Sequence, residues 1–530
     1  MKTSLSFLLV ALFGFTPLAE AQTKKNTKPA ATRKVARPAA RSSAPITNAN
    51  SRQQLARALE LARGGQYQAA ATSLYSLSRR PDLQADRAQI KYILGLMLME
   101  MKLNQTAAFQ FVDVIRLNHP KYTRLAVEKL SIAADTLGDD TLLNYALNRL
   151  NISEVPAANR DMVWFRVGEV KLKNKDYAGA QDAFSKVRQG SSYFNQATYN
   201  RGLALLEMNK VDEAMGVFRN LLALRSKAKV TDTNKVAAQL ALARALYQKG
   251  DWEGAVEAYA AIPRDHVLWH DAIFEQSWAM LRSARFRSAM SNFQSLHSAY
   301  YEDFYVPEAL LLRAIVYLYI CKYDEMEKVL QLFEKTYGPV SGQVRDFLNT
   351  HKDSMPYFQE AERALQARRG KSNAQARLPT LVMNSALGQG NVRRAFSYLR
   401  VLNEEQARVE ANYPFKSSPM GQYAMKIISN RKRNTQLAIG DMVKAHLTNI
   451  RTELRDLYEQ AGFIRYEMIN GQKEVIKKKI AGKDIEEDAV DEDIARSFYV
   501  QNGYQYYPFQ GEYWLDEIGN FHYLGKSSCE

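Results

Sequence analysis

The sequence predicts an all-α protein: a solenoid of stacked helix pairs, then a long helical extension, then a small aromatic β-hairpin cap. Three observations point there. A spacing of small and aromatic residues recurs through the first two thirds, an apolar heptad runs from Val443 to Met468, and aromatic residues crowd around a turn-forming Ile518-Gly519-Asn520. At 530 residues the chain is several times the usual domain size, so it is either multi-domain or a quasi-linear array.

Residues 1–21 stand apart. Lys2 supplies a positive start, Leu5 to Phe15 is a short apolar run, and Ala19-Glu20-Ala21 is a small-x-small cleavage site, so the segment reads as a secretory signal cut before Gln22. The run is short for about 30 Å of hydrocarbon, and no later stretch offers the roughly 20 apolar residues a span requires. The expectation is a periplasmic protein, soluble or peripherally attached to the envelope. Residues 22–50 carry Lys24, Lys25, Lys28, Arg33, Lys34, Arg37 and Arg41 without an acid, a large share of the formal +16. Such a stretch cannot bury enough apolar surface to offset chain entropy. It reads as a disordered arm: a solvated spacer, or a tether for peptidoglycan or another anionic surface. Export argues against nucleic acid.

From residue 51 to about 335 a unit repeats. "VGEVKLKNKDYAGAQDAFSKV" (167–187), "RGLALLEMNKVDEAMGVFRNL" (201–221) and "LARALYQKGDWEGAVEAYAAI" (242–262) align residue for residue. Each has a small residue (Gly168, Gly202, Ala243), a turn, an alanine (Ala180, Ala214, Ala255) and an aromatic four residues later (Phe184, Phe218, Tyr259). The small position continues as Ala58, Gly95, Ala133, Gly168, Gly202, Ala243, Ser277 and Ala314, in steps of 37, 38, 35, 34, 41, 34 and 37. Small residues let helix backbones approach, and an aromatic one turn beyond an alanine lies on the same face to fill the gap. The unit at Ala133 departs most, and the insertion "RSKAKVTDTNK" before Ala243 reads as a longer helix or an exposed loop.

This pattern resembles the tetratricopeptide repeat, a 34-residue pair of antiparallel helices. The resemblance implies a right-handed superhelix whose first helices line a concave wall. Positions one and four past the small residue, and three before it, would face a ligand there. They hold Phe165, Glu169, Tyr199, Arg244, Tyr247, Phe274 and Trp278, with Lys173 and Arg282 one step further along. Rings bury area at low entropy cost and arginines pair with carboxylates, which suits an extended or acidic segment of a protein partner. Packing between neighbouring repeats is the other use of Phe165, Tyr199 and Phe274.

Residues 336–420 read as degenerate repeat helices, with one further copy of the spacing at Val392, Ala395 and Leu399. Residues 421–482 form a long helix whose apolar positions Val443, Leu447, Ile450, Leu454, Leu457, Ala461, Ile464 and Met468 ask for a partner helix. Docking within the chain is favoured; a homodimer through 443–468 is the alternative. Residues 483–530 hold an acidic linker (Asp484 to Asp493) and the aromatic cap, in which Tyr513, Trp514, Phe521 and Tyr523 need a surface of this chain or of a partner. Phe509, Gly511, Glu512, Trp514, Asp516, Glu517 and Gly519 make this ending similar to tails of repeat proteins from bacterial gliding-motility and related envelope complexes. Ile518 and Phe521 depart from that pattern, which covers some fifteen residues.

Chemistry-bearing motifs are thin. His266 and His270 stand four apart without a third ligand, and Asp516, Glu517 and His522 are only sequence neighbours. No phosphate-binding or nucleophile-elbow motif occurs, so no cofactor, metal or catalysis is expected. The two cysteines, Cys321 and Cys529, read as separate thiols, with a bridge between them as the alternative, which requires the tail to fold back over the repeats. The expected role is an exported scaffold or adaptor that binds envelope proteins in its groove. The rival is a peptidoglycan-cleaving enzyme of the superhelical lytic transglycosylase type, although the last 110 residues lack its Glu-Ser segment.

Overall fold

A computed structural model describes residues 48–139, 141–147, 160–224, 233–370, 376–480, 514 and 518–521. The signal, nearly all of the basic arm, the acidic linker, Tyr513, Tyr523 and Cys529 lie outside the described residues. The described residues begin as eight helix pairs: α1 (Asn48–Arg63) with α2 (Tyr67–Leu77), α3 (Arg87–Glu100) with α4 (Asn104–Arg116), α5 (Pro120–Leu137) with α6 (Thr141–Leu147) and α7 (Arg160–Lys173) with α8 (Tyr177–Ser185). Then come α9 (Phe194–Glu207) with α10 (Val211–Ala223), α11 (Thr233–Lys249) with α12 (Trp252–Ala260), α13 (Trp269–Arg282) with α14 (Phe286–Leu296), and α15 (Pro307–Tyr319) with α16 (Tyr323–Thr350).

Each small residue of the series lies in the first helix of a pair, and in every unit but that of Ala133 the side chain it admits stands sixteen residues on. An added Cβ at Gly95 or Gly168 would come within 2.5 Å of the Phe111 or Phe184 ring, and at Gly202 it would strike Phe218. Ala58 with Leu74 and Ala314 with Leu330 use a slightly larger residue against a smaller one, and all four are buried.

The turn between paired helices is as regular as the packing. Seven residues past the small position the backbone turns left-handed, at Gly65, Lys102, Lys175, Asn209, Gly250, Ala284 and Cys321, with φ from 56° to 86°. The next residue's N–H then reaches the carbonyl five back: Leu103 to Leu98 at 2.8 Å, Asp176 to Lys171 at 2.9 Å, Lys210 to Leu205 at 2.9 Å, Arg285 to Met280 at 2.8 Å. This is a Schellman closure, which satisfies carbonyls orphaned by the helix end. Asp176 and Asp251 then cap α8 and α12 by accepting from Gly179 N–H (2.9 Å) and Gly254 N–H (3.0 Å). The unit at Ala133 breaks the rule, since α5 is closed by left-handed Gly138 only five residues on.

After the pairs come α17 (Ser354–Arg368), α18 (Thr380–Gly388), α19 (Gly390–Glu410), α20 (Tyr413–Ser417) and α21 (Pro419–Ile480). The boundary expected near residue 335 falls inside α16, which runs on unbroken to Thr350. At 62 residues α21 is roughly 90 Å long. Its heptad seam is buried within the chain: Val443, Leu447 and Leu454 are fully buried, Ile450, Leu457, Ala461 and Ile464 nearly so, against α15, α16 and α17. A homodimer through 443–468 is therefore corrected, because those positions are already covered. Arg465 adds ion pairs to Glu327 (3.2 Å) and Glu334 (2.6 Å) of α16.

The other end of α21 belongs to the opposite end of the row. Met420, Ala424 and Ile428 share a core with α1–α6 and with Leu402 and Val409 of α19. The first and last repeats are thus joined twice, through the row of pairs and through α19 and α21. Glu405 of α19 secures the second route. It is fully buried and accepts the Gln105 peptide N–H at the start of α4 at 2.9 Å, while Tyr398 Oη donates to Gln105 Oε1 at 2.5 Å. Burial pushes the Glu405 carboxyl up to about 8, against the lowering pull of those peptide groups.

Two expectations about the end of the chain change. No strand occurs among the described residues; of the expected hairpin, the turn at Ile518–Gly519 is described and most of its flanks are not. Cys321 is disulfide-bonded, not a separate thiol. No described helix is long and apolar enough to cross a membrane.

Candidate protein-binding groove

First helices touch one another at three places in the row, α3 with α5, α7 with α9 and α9 with α11, and among the described second helices α4 touches α6. Drawing one side of a row together bends it toward that side, so between α3 and α5 and from α7 to α11 the first-helix face is the inner one. What it presents follows from helical arithmetic, because residues one and four past the small position share a face.

From α9 to α15 this face is an apolar ladder. Tyr199, Leu203 and Leu206 of α9, Tyr247 of α11, Phe274, Trp278 and Leu281 of α13, and Ile315 and Leu318 of α15 are all partly buried, each resting on the core and keeping some surface in solvent. Polar groups fix its middle. Arg244 forks onto Glu275 of the next repeat, Nε to Oε2 at 2.8 Å and Nη2 to Oε1 at 2.5 Å, and Tyr259 Oη donates to the same carboxylate at 3.0 Å. Burial opposes the Arg244 charge, but the fork overcomes it and holds the pKa above its ordinary value. Beside it Arg282 lies 5.0 Å over the Trp252 ring, which meets Tyr247 edge-on at 4.9 Å. Glu308, at the start of α15, is pushed up to about 6 by burial.

The expected groove residues divide. Tyr199, Tyr247, Phe274 and Trp278 keep an exposed edge, and Arg244, Arg282 and Lys173 reach solvent. Phe165 does not. At 1 % exposure it is stacked on Tyr193 (5.3 Å) and packs beside Phe184 (6.0 Å), which removes it from any ligand surface. Glu169 is engaged by Arg166 at 2.7 Å. The aliphatic rungs Leu203, Leu206, Leu281, Ile315 and Leu318 were missed, though the same register selects them. Glu275 was missed because its role depends on a residue 31 positions away.

Toward α5 the face opens into a cleft of about 760 Å³ lined by Glu128, Asp135, Asp161, Arg188 and Tyr193. Its acids are largely engaged. Asp161 accepts from Arg188 at 2.7 Å, which holds its carboxyl below the usual range, and Asp135 accepts from Arg166 at 2.5 Å and from Tyr193 Oη. His266 accepts the Leu268 N–H at 3.2 Å, while His270 is buried and stacked on Phe304 at 4.3 Å, so the two are employed separately. Among the described residues no three His, Cys, Asp or Glu side chains gather as a metal site.

A row of antiparallel helix pairs with left-handed turns and an inner first-helix face is an α-solenoid. Residues 205–272, from the end of α9 into α13, match the tetratricopeptide repeat family model, so this part of the row is similar to that family. Similar solved structures include a Rap protein complexed with competence and sporulation factor, 10% identical, covering 73% of this chain and 99% of that one, with a TM-score of 0.28. A tetratricopeptide repeat protein from Parabacteroides merdae is 12% identical over 51% of this chain and 99% of that one, at 0.28. Naa15/Naa10 bound to HypK-THB is 12% identical over 86% and 68%, at 0.34. Comparison with curated proteins found no match.

Proposed function

We propose that this chain is an exported scaffold that holds segments of protein partners against its first-helix wall within a bacterial envelope assembly. The observation that carries the reading is the ladder from Tyr199 to Leu318: half-buried apolar side chains from four consecutive repeats, with the Arg244–Glu275 pair and Arg282 set among them. A face of that kind rewards an extended segment with spaced apolar side chains and an acidic group for Arg282. Export rests on residues 1–21, and the seven cations between Lys24 and Arg41 would add attraction to peptidoglycan or another anionic surface, without nucleic acid. The similarity of the tail to gliding-motility proteins supports the envelope setting. The wall-cleaving alternative gains no support from Glu405, whose buried carboxyl is engaged by the α4 peptide groups.

Photo-reactive residues tested one at a time at Leu206, Leu281 and Leu318, and at Arg219 and Glu257 on the exposed side of the second helices, check this in the native host. Protein adducts should concentrate at the three wall positions and fall at least fivefold when Trp278→Ala and Arg282→Glu are added. Equal adducts from Arg219 and Glu257, or none at the wall, would refute it.

A further inference from the structure

The chain returns to the α13–α14 pair at Gly519, 224 residues after Ser295. Ile518 is 4 % exposed, the Gly519 peptide N–H donates to Ser295 Oγ at 2.8 Å, and the Arg264 guanidinium donates to Asn520 Oδ1. Ser295, near the C-terminus of α14, is fully buried, and Trp269 is the first residue of α13. The receiving surface is thus where α13 begins and α14 ends, with Arg264 in the loop leading in. Its shape selects glycine. Gly519 has φ of +83°, and an added Cβ would stand 2.9 Å from Cζ2 of Trp269, so both the backbone and the indole face exclude a side chain.

We propose that this end of the α13–α14 pair is a binding site for a glycine-centred turn of the form apolar-Gly-Asn, filled in the resting chain by its own Ile518–Asn520. Three of its parts match the ligand: the Trp269 indole for the glycine, the Ser295 hydroxyl for its N–H and the Arg264 guanidinium for the asparagine amide. The tail is a tethered ligand, and displacing it opens the site to the same kind of turn on another protein. The site does not depend on the first-helix wall and could fail or stand without it. Once the Cys321 bond is reduced, a tethered segment acts at an effective concentration on the order of 1 mM, so against an intrinsic affinity on the order of 100 µM the docked tail weakens an added peptide roughly tenfold.

The probe is a fluorescent peptide of residues 511–525, titrated by anisotropy into the full-length chain with the Cys321 bond reduced. Gly519→Ala in the chain should undock its own tail and raise the peptide's apparent affinity about tenfold over wild type. Adding Arg264→Ala and Ser295→Ala to that variant should abolish the gain. Hydrogen exchange on otherwise wild-type Ser295→Ala supplies an independent reading, with faster exchange at the Gly519 amide expected. No gain in Gly519→Ala, a gain that survives loss of Arg264 and Ser295, or unchanged exchange at Gly519 would each overturn the proposal. So would a wild-type dimer that Gly519→Ala dissolves, since the tail would then be filling the site of a second copy.

Discussion

The contact between Gly202 and Phe218 sets the spacing of one helix pair, and a two-residue exchange tests it. Gly202→Ala places a methyl against the Phe218 ring at less than van der Waals distance, in a wholly buried position. Overpacking of that kind costs about 1–3 kcal/mol. Replacing glycine by alanine inside a helix returns about 1 kcal/mol, leaving a net loss of about 1 kcal/mol. Phe218→Leu alone empties part of the ring's space and costs roughly 1–1.5 kcal/mol. Together the two recreate the alanine–leucine pairing that the chain already uses at Ala58/Leu74 and Ala314/Leu330, both buried. The clash then disappears while the helix gain remains, so the double variant should lie within about 0.5 kcal/mol of wild type, a coupling of about 2 kcal/mol. Urea unfolding of the four full-length proteins, followed by far-ultraviolet circular dichroism, measures it. If the single effects add within about 0.5 kcal/mol, the ring does not press on position 202 and the packing rule proposed for the whole row is wrong.

Glu405 makes stability depend on pH with a definite sign. Its carboxyl is held at about 8 in the folded chain against about 4.3 unfolded, so between those values only the folded chain keeps the proton and stability falls as pH rises through the window. Urea midpoints at pH 6 and pH 8 should show wild type losing on the order of 2 kcal/mol more than Glu405→Gln; equal losses would show the group to be ionised throughout. Cys321, being bonded, should take up no iodoacetamide under denaturing, non-reducing conditions and one equivalent after reduction, as read by peptide mass; labelling without reductant would contradict the bond.

The sequence showed what is local and periodic. The small residue and its partner sixteen positions on are spaced by the helix–turn–helix itself, so Gly95/Phe111, Gly168/Phe184 and Gly202/Phe218 could be paired without coordinates. Phe165 shows where that fails. Three residues before a small position a side chain can turn to the wall or to the next repeat, and Tyr193 in the α8–α9 turn, which no spacing rule anticipates, draws it inward. The aliphatic rungs of the wall were legible but passed over, because leucine in a helix reads as core until its neighbours are known. Glu405 was illegible for a plainer reason: its partner lies 300 residues away, and a carboxyl group bonded to a distant helix has no signature in its own segment.

The heptad of α21 carries the same lesson into function. Its period announces a partner helix without saying whose, and the partners prove to be α15 to α17. A row of repeats in contact only with neighbours bends easily along its length. Here α21 joins the core of the first repeats, through Met420 and Ile428, to that of the last, through Val443 to Ile464, and Glu405 pins α19 to α4 beside it. Flexing the row would have to slide these buried side chains past one another. The wall between Tyr199 and Leu318 is therefore held at one curvature before any partner arrives, and a surface already in its bound shape loses less conformational freedom on binding.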